Sequence, residues 1–447
     1  MPVRRPIPIL ALSLVTAGAL WLGTAAAATS PGATEGPVRP AAPAAGGLDP
    51  SFGGDGRVTT NLTAGFDAAR AVAIQPDGAI VAAGSAGGSN GRFAVVRYDP
   101  DGTLDAAFGN RGRVTTDLTG GADLARGVAV QSDGRILVAG QTGGNHGRFA
   151  LVRYEPDGTL DTSFGGDGKV TTAFPSKIAL PDGAVAVAVQ ADGRIVAAGF
   201  ANGNCSCVRF ALARYRTNGT LDPTFGDGGT TTTRFRGGAD PTAMALAPDG
   251  SIVVVGGNVP DVNRFQVARY TPDGVLDTSF GGDGKVTTDM GQGEESATGV
   301  AVQNDGAVVV VGYTDQPHEF GETFGPVRFA LARYRPDGAL DAAFGTGGKV
   351  LTSFATGAVP RAVAIQNDGR IVAVGEVGRR GGRFELVRYT RAGALDTTFG
   401  GDGRVAVDFT RGEDAAYAVA IQTDQRIVAA GIAGGQGGRF ALARSTG

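Results

Sequence analysis

Hydrophobic residues along this chain come in short, dense runs and not at helical intervals. In the first of several similar stretches, "GRVTTNL" (56–62), "RAVAIQ" (70–75), "AIVAAG" (79–84) and "RFAVVRY" (92–98) follow one another, each bounded by Gly, Asp, Asn or Pro. Runs of this length, rich in Val, Ile, Ala and Phe and punctuated by turn residues, predict β-strands. Asp77-Gly78, Asp133-Gly134 and Asp192-Gly193 stand between the second and third runs, the signature of a two-residue hairpin. No segment sustains a period of 3.6, so helix is expected to be nearly absent.

The pattern recurs. Leu-Asp-x-x-Phe-Gly begins at Leu48, Leu104, Leu160, Leu221, Leu276, Leu340 and Leu395, in steps of 56, 56, 61, 55, 64 and 55 residues. An Arg-Phe pair opens a strand at Arg92, Arg148, Arg209, Arg264, Arg328, Arg383 and Arg439. Self-similarity at this period means a stacked or circular array of supersecondary units.

Two features of the pattern select a β-propeller. "AVAI" and "IVAA" lack an apolar/polar alternation, as expected of strands buried on both faces between neighbouring sheets. The "AVAI", "GVAV", "VAVA" and "AMAL" runs are small enough to crowd around an axis, whereas Thr59-Thr60, Thr115-Thr116, Thr171-Thr172 and Thr287-Thr288 suit an outer, solvent-edge strand. The expectation is an all-β, seven-bladed propeller with four antiparallel strands per blade. The N-terminal outer strand would pair with the last blade and close the ring.

The phrases "AVAIQPDGAIVAAG", "GRFAVVRYDPDGTLD" and "FGGDGRVTT" resemble the delta-60 repeat. The resemblance implies a propeller in an exported bacterial-type protein, and it brings no established reaction or catalytic residue.

Composition narrows the partners. Of 447 residues 19% are charged, and the formal net charge is −3, so there is no electrostatic case for nucleic acid. The 75 glycines point to tight turns. Residues 1–28 read as a signal peptide: Arg4 and Arg5, the apolar "PILALSLVTAGALWLG", and then "TAAAAT", cut after Ala26 or Ala28. Residues 29–46 read as an Ala/Pro/Gly-rich linker, and 47–447 as the repeat domain. The mature chain is expected to be exported, monomeric and free of a membrane span.

Candidate chemistry is sparse. The recurring arginines (Arg97 to Arg444) and aspartates (Asp49 to Asp396) read as one ion pair per blade. "GGDG" segments place a lone Asp among glycines and read as turns, against a calcium loop. No cofactor or metal is expected. Cys205 and Cys207, the only cysteines, are candidates for a disulfide. His146 and His318 fall in equivalent loops on nearly opposite sides of a seven-membered ring, too far apart for one metal.

Where the units differ is where binding is sought. The longest insertion, 313–327, carries His318, Phe320 and Phe324, and residues 174–184 form another. By connectivity both share a face with short loops carrying Asp67, Asp123, Asp240 and Asp414, and with Glu294, Glu295 and Glu413. A mildly acidic mouth follows. The resulting function is a non-enzymatic binding or scaffolding module for a protein or cell-surface polymer. The competing reading is a hydrolase or lyase using mouth carboxylates, with or without a metal.

The leader reading is checked by the mass of secreted protein, which should begin at Ala27 or Thr29. A membrane-bound chain retaining Met1 contradicts it.

Overall fold

The computed structural model describes residues 46–143, 147–175, 181–202, 208–257, 264–291, 293–315, 327–378 and 382–447. These residues form twenty-eight strands and two short 3-10 turns, Gly88–Asn90 and Gly435–Gly437. Among them no helix is long and apolar enough to cross a membrane.

The strands pair antiparallel in sets of four. In the first set Ala68–Ile74, Ile80–Ala86, Arg92–Tyr98 and Arg113–Thr116 lie side by side in chain order. The sets beginning Leu124–Val130, Gly183–Val189, Asp240–Leu246, Glu295–Val302 and Ala358–Ile365 repeat the order. A single residue pair, Gly257 with Ser296, joins the fourth set to the fifth. The last set, Ala415–Ile421, Ile427–Ala433 and Arg439–Ser445, takes its fourth strand from the other end of the chain, Arg57–Thr60. Thr60 there lies opposite Phe440. First strands pack on one another in succession, and Ala415–Ile421 packs on Ala68–Ile74.

The core lies between sets. Ala69, Val72, Ala82 and Val96 of the first set pack with Ala418, Val428 and Leu442 of the last. Both faces of the second and third strands are buried over most of their length, which is why their sequences do not alternate. The threonine pairs on the fourth strands split: Thr59 is exposed, but Thr60 is buried and accepts the Tyr98 hydroxyl at 2.8 Å from the next set. Tyr154 with Thr116, Tyr215 with Thr172 and Tyr334 with Thr288 repeat the contact at 2.8 Å. The fourth strand is therefore no purely solvent-facing edge.

The seven recurring arginines do more than pair with their aspartates. Arg214, almost fully buried, donates Nε to Asp222 at 2.9 Å and Nη1 to the Pro272 carbonyl of the following repeat at 2.8 Å. Its guanidinium carbon lies 4.9 Å from the Phe225 ring centroid. Arg97 reaches Asp105, the Pro156 carbonyl and Phe108 in the same way. Arg444 reaches Asp49, the Pro100 carbonyl and Phe52, all near the start of the chain. Burial pushes the Asp222 carboxyl up, but the Thr224 hydroxyl and N–H and the charges of Arg214 and Arg194 outweigh it and hold the group below its ordinary value. Arg97, Arg153, Arg214, Arg269, Arg333 and Arg444 thus each clasp their own repeat to the next.

The "GGDG" aspartates work as turn caps, since Asp55 accepts the Arg57 N–H at 3.0 Å. Gly46, at the end of the expected linker, donates to the Thr446 carbonyl at 3.0 Å and so belongs with the folded part.

Asp222→Ala leaves the buried Arg214 without its main acceptor and should cost about 3–5 kcal/mol. The exposed Arg216→Ala should stay within about 0.5 kcal/mol. Urea midpoints compare the two.

Candidate functional site

One end of the sheets carries the loops that run from each fourth strand to the next first strand, along with those from second to third strands. The sequence places its candidate carboxylates here, and the structure spends most of them on backbone. Asp67 is fully buried and accepts the N–H groups of Leu62 at 2.8 Å, Thr63 at 2.9 Å and Gly87 at 3.1 Å. Asp123 accepts Leu118 N–H at 2.7 Å and Gly143 N–H at 2.7 Å. Asp414 accepts Phe409 N–H at 2.8 Å and Gly434 N–H at 3.0 Å. Each ties the two loops of its set together. The expectation of open loop acids is corrected for these three, because a buried carboxylate must be met by donors and these loops offer theirs.

Glu295 holds the same place in the fifth set, is buried, and accepts Met290 N–H at 2.7 Å. Burial pushes its carboxyl up to about 7, Met290 pulling the other way and Asp289 adding to the rise. Asp182 does the same work in the third set, toward Phe174 and Asn202, and burial raises it too. The sequence reading missed Asp182. Its signal was its place immediately before an Ala-rich first strand, shared with Asp67.

Asp240 was grouped with Asp67 by position, but the register separates them. Asp240 pairs with Gly257 as Ala68 pairs with Ser85, one residue further along, and Ala239 takes the pinning place. Asp240 stays exposed, as do Glu294 and Glu413. The protein around Asp240 displaces enough water to push its carboxyl up to about 6, against the pull of Arg126.

Every first strand contains a β-bulge near this end. Pairing jumps from Ala69 to Ala71, from Ala125 to Gly127 and from Pro360 to Ala362, with equivalents in the other sets. Ala69 joins the core on one side and Ala71 the core on the other, so the extra residue Arg70 belongs to neither face. The seven extra residues are Arg70, Arg126, Val185, Thr242, Thr298, Arg361 and Tyr417. The bulge also explains the glycine that ends "IVAAG". A Cβ on Gly84 would overlap the Ala68 carbonyl oxygen, and Gly140, Gly199, Gly256, Gly312, Gly375 and Gly431 meet the same obstacle.

Three of these seven residues are arginines, and they cluster. The Arg70 guanidinium carbon lies 4.1 Å from the Tyr417 ring centroid, and that of Arg361 lies 5.7 Å from it. Arg361 pairs with Glu376 at 2.5 Å. Arg126 lies 5.7 Å from the Phe200 ring centroid. Burial and the charge of Arg70 push Arg126 down to about 10, although Asp240 opposes them. Burial likewise lowers Arg70, Tyr417 raising it and Arg361 lowering it further. Of the acids behind the expected mildly acidic mouth, Asp67, Asp123, Glu295 and Asp414 are withdrawn into the loops while Asp240, Glu294 and Glu413 stay exposed, and arginines stand at three of the bulges.

Six segments, 75–108, 131–164, 190–225, 247–280, 303–344 and 366–399, match the model of a domain of unknown function (DUF5122) described as a beta-propeller. Each matched segment contains the second and third strands of one set, as 75–108 contains Ile80–Ala86 and Arg92–Tyr98, and the last set has no matched segment. The chain is a β-propeller repeat protein.

Solved structures similar to this propeller include a catalytically inactive virginiamycin B lyase from Staphylococcus aureus crystallised with quinupristin. It has a TM-score of 0.49 at 12% identity, covering 86% of this chain and 98% of that one. The polysaccharide lyase Uly1 reaches a TM-score of 0.48 at 13% identity, covering 85% and 89%. A gluconolactonase from Xanthomonas campestris reaches 0.36 at 17% identity, covering 76% and 92%. Likeness at this level bears on neither reaction nor ligand. No curated protein matches the sequence.

In the propeller, His146, His318, Phe320, Phe324, Cys205 and Cys207 lie outside the described residues. Among the described residues no group of three His, Cys, Asp or Glu is placed to hold a metal ion. A shallow recess of 310 Å³, lined in part by Asp77, Asp101, Asp424 and Arg444, lies at the opposite end of the sheets from the bulges.

Glu295 generates a pH test. Its folded value is about 7 against 4.5 for the free side chain, so the neutral acid is the favoured native form. Its stabilising contribution is full below 4.5 and is lost as pH rises through 7. Glu295→Gln should flatten the fall of the thermal midpoint over this interval, leaving the variant more stable than the parent at pH 8.

Proposed function

We propose that this protein is an exported, seven-bladed propeller of the delta-60 type that acts as a non-enzymatic binding or scaffolding platform for a protein or cell-surface polymer. Support for seven blades in a closed ring comes from the Arg57–Thr60 strand completing the last set and from the succession of first strands. Support for export comes from residues 1–28.

One observation carries the platform reading. The carboxylates that would serve an acid–base pair at the loop end, Asp67, Asp123, Asp182, Glu295 and Asp414, are buried, and each accepts backbone N–H groups. They stiffen the loops and leave the face free to vary in composition without loss of shape. A rigid face with variable loops suits recognition.

A second reading rests on Asp240, exposed and titrating at about 6 beside Arg126. A carboxylate tuned toward neutrality is suited to proton abstraction, and it would serve a hydrolase or lyase.

Co-sedimentation of residues 29–447 with a cell-wall preparation from the producing organism separates the two. Saturable binding with no soluble fragments released over time supports the platform. Time-dependent release that Asp240→Asn abolishes supports the enzyme and overturns the platform.

A further inference from the structure

Arg361, Tyr417, Arg70 and Arg126 come from consecutive sets of strands, because the last set packs on the first. The bulges therefore bring three guanidinium groups into succession, two of them at the Tyr417 ring and the third at Phe200. Carboxylates among the described residues act on them. Glu376 is engaged with Arg361, and Asp240 acts on Arg126 from the fourth set. Of these two carboxylates, Asp240 is pushed toward its neutral form, and Glu294 and Asp315 stand with Arg361 about Tyr313.

Donors are in excess. Arg361 is 7% exposed, yet its buried Nε has no acceptor, and the buried Nε of Arg126 has none either. A desolvated guanidinium is costly unless its N–H groups are met, and arginines this close repel one another. The clasp arginines at the other end show how this chain satisfies a buried guanidinium. Arg214 has a carboxylate, a carbonyl, a hydroxyl and a ring. The bulge arginines have their rings, with the Tyr417 hydroxyl for Arg70 and Glu376 for Arg361, but among the described residues the Nε of Arg126 and of Arg361 meets no acceptor. What they lack is an oxyanion, whose paired oxygens fit the guanidinium fork.

We propose that Arg70 and Arg361, on either strand set beside Tyr417, and Arg126, next to them at Phe200, form a binding site for an oxyanion-bearing ligand, a carboxylate, phosphate or sulfate. The site goes beyond the platform reading and needs neither a polymer nor export.

Equilibrium dialysis of residues 29–447 with inorganic phosphate, sulfate and citrate, at constant ionic strength in chloride, tests it. The expected result is saturable binding of at least one of the three, at least about tenfold weaker in both Arg70→Gln and Arg126→Gln. Arg92→Gln, an exposed arginine away from the bulges, should bind as the parent does. Absence of saturable binding, or binding unchanged in the two bulge variants, overturns the site.

Thermal unfolding adds a readout that a structural role would not give. Without anion, Arg126→Gln should melt higher than the parent, by about 1–2 °C, because it removes a buried, repelled charge. A structural arginine would show a lower midpoint, and that result counts against the proposal. Displacement of the bound small ion by polyphosphate identifies a chain-borne group as the natural occupant. Retention identifies a free ion. Both uphold the oxyanion site, and neither depends on the cell-wall experiment, so the two readings fail separately.

Discussion

The clasp between an arginine of one repeat and the turn of the next is the contact on which the rest of the molecule depends. A sheet of four short strands buries too little on its own, and its two faces are useful only when neighbours cover them. Hydrophobic packing between sets supplies the driving force but is indifferent to small slides and rotations. The clasp removes that freedom. Arg214 meets Asp222 and Thr224 on one side and the Pro272 carbonyl and the Asp273 carboxylate of the next repeat on the other. Distance and angle between neighbours are set together.

Regular spacing of the sets then makes the loop end a place where small differences count. The pins and the bulges divide the work there. Pinning acids such as Asp67 and Asp414 hold the loops, and each bulge adds one residue to its first strand, which Val185 returns to the core but Arg70 does not. Arginine, valine, threonine and tyrosine all occur at the added place, while the alanines on either side recur with little change. Stability is held by the flanking residues and chemistry by the one between them.

Much of this was legible in the sequence, for identifiable reasons. The Arg–Asp pairing was readable because both residues return at a constant offset. The four strands per repeat were readable because Asp-Gly and Pro-Asp-Gly turns interrupt every run. The site was not. Asp67 and Asp240 look equivalent as acids before an Ala-rich strand, and only the register, offset by one residue, sends one into the loop and leaves the other exposed. Arg70 looked like an ordinary strand residue, since alternation between two faces has no third category. Its clue was in plain view: it is the changing letter in front of "AVAI", with a glycine in the paired strand where the bulged backbone comes too close for a side chain.

The sheet built from both ends of the chain has a consequence for timing. Arg57–Thr60 is among the first folded segments to be synthesised, but its partner Arg439–Ser445 is among the last, and Asp49 waits as long for Arg444. Until then the first strand set presents an uncovered apolar flank, the surface later met by Ala418, Val428 and Leu442. Closing a loop of this length carries an entropic cost that grows only slowly with length. Delay is thus the larger burden, and intermediates exposing that flank are open to association with other chains. A ribosome releasing this polypeptide hands over a molecule whose two ends must find each other before its first sheet is covered.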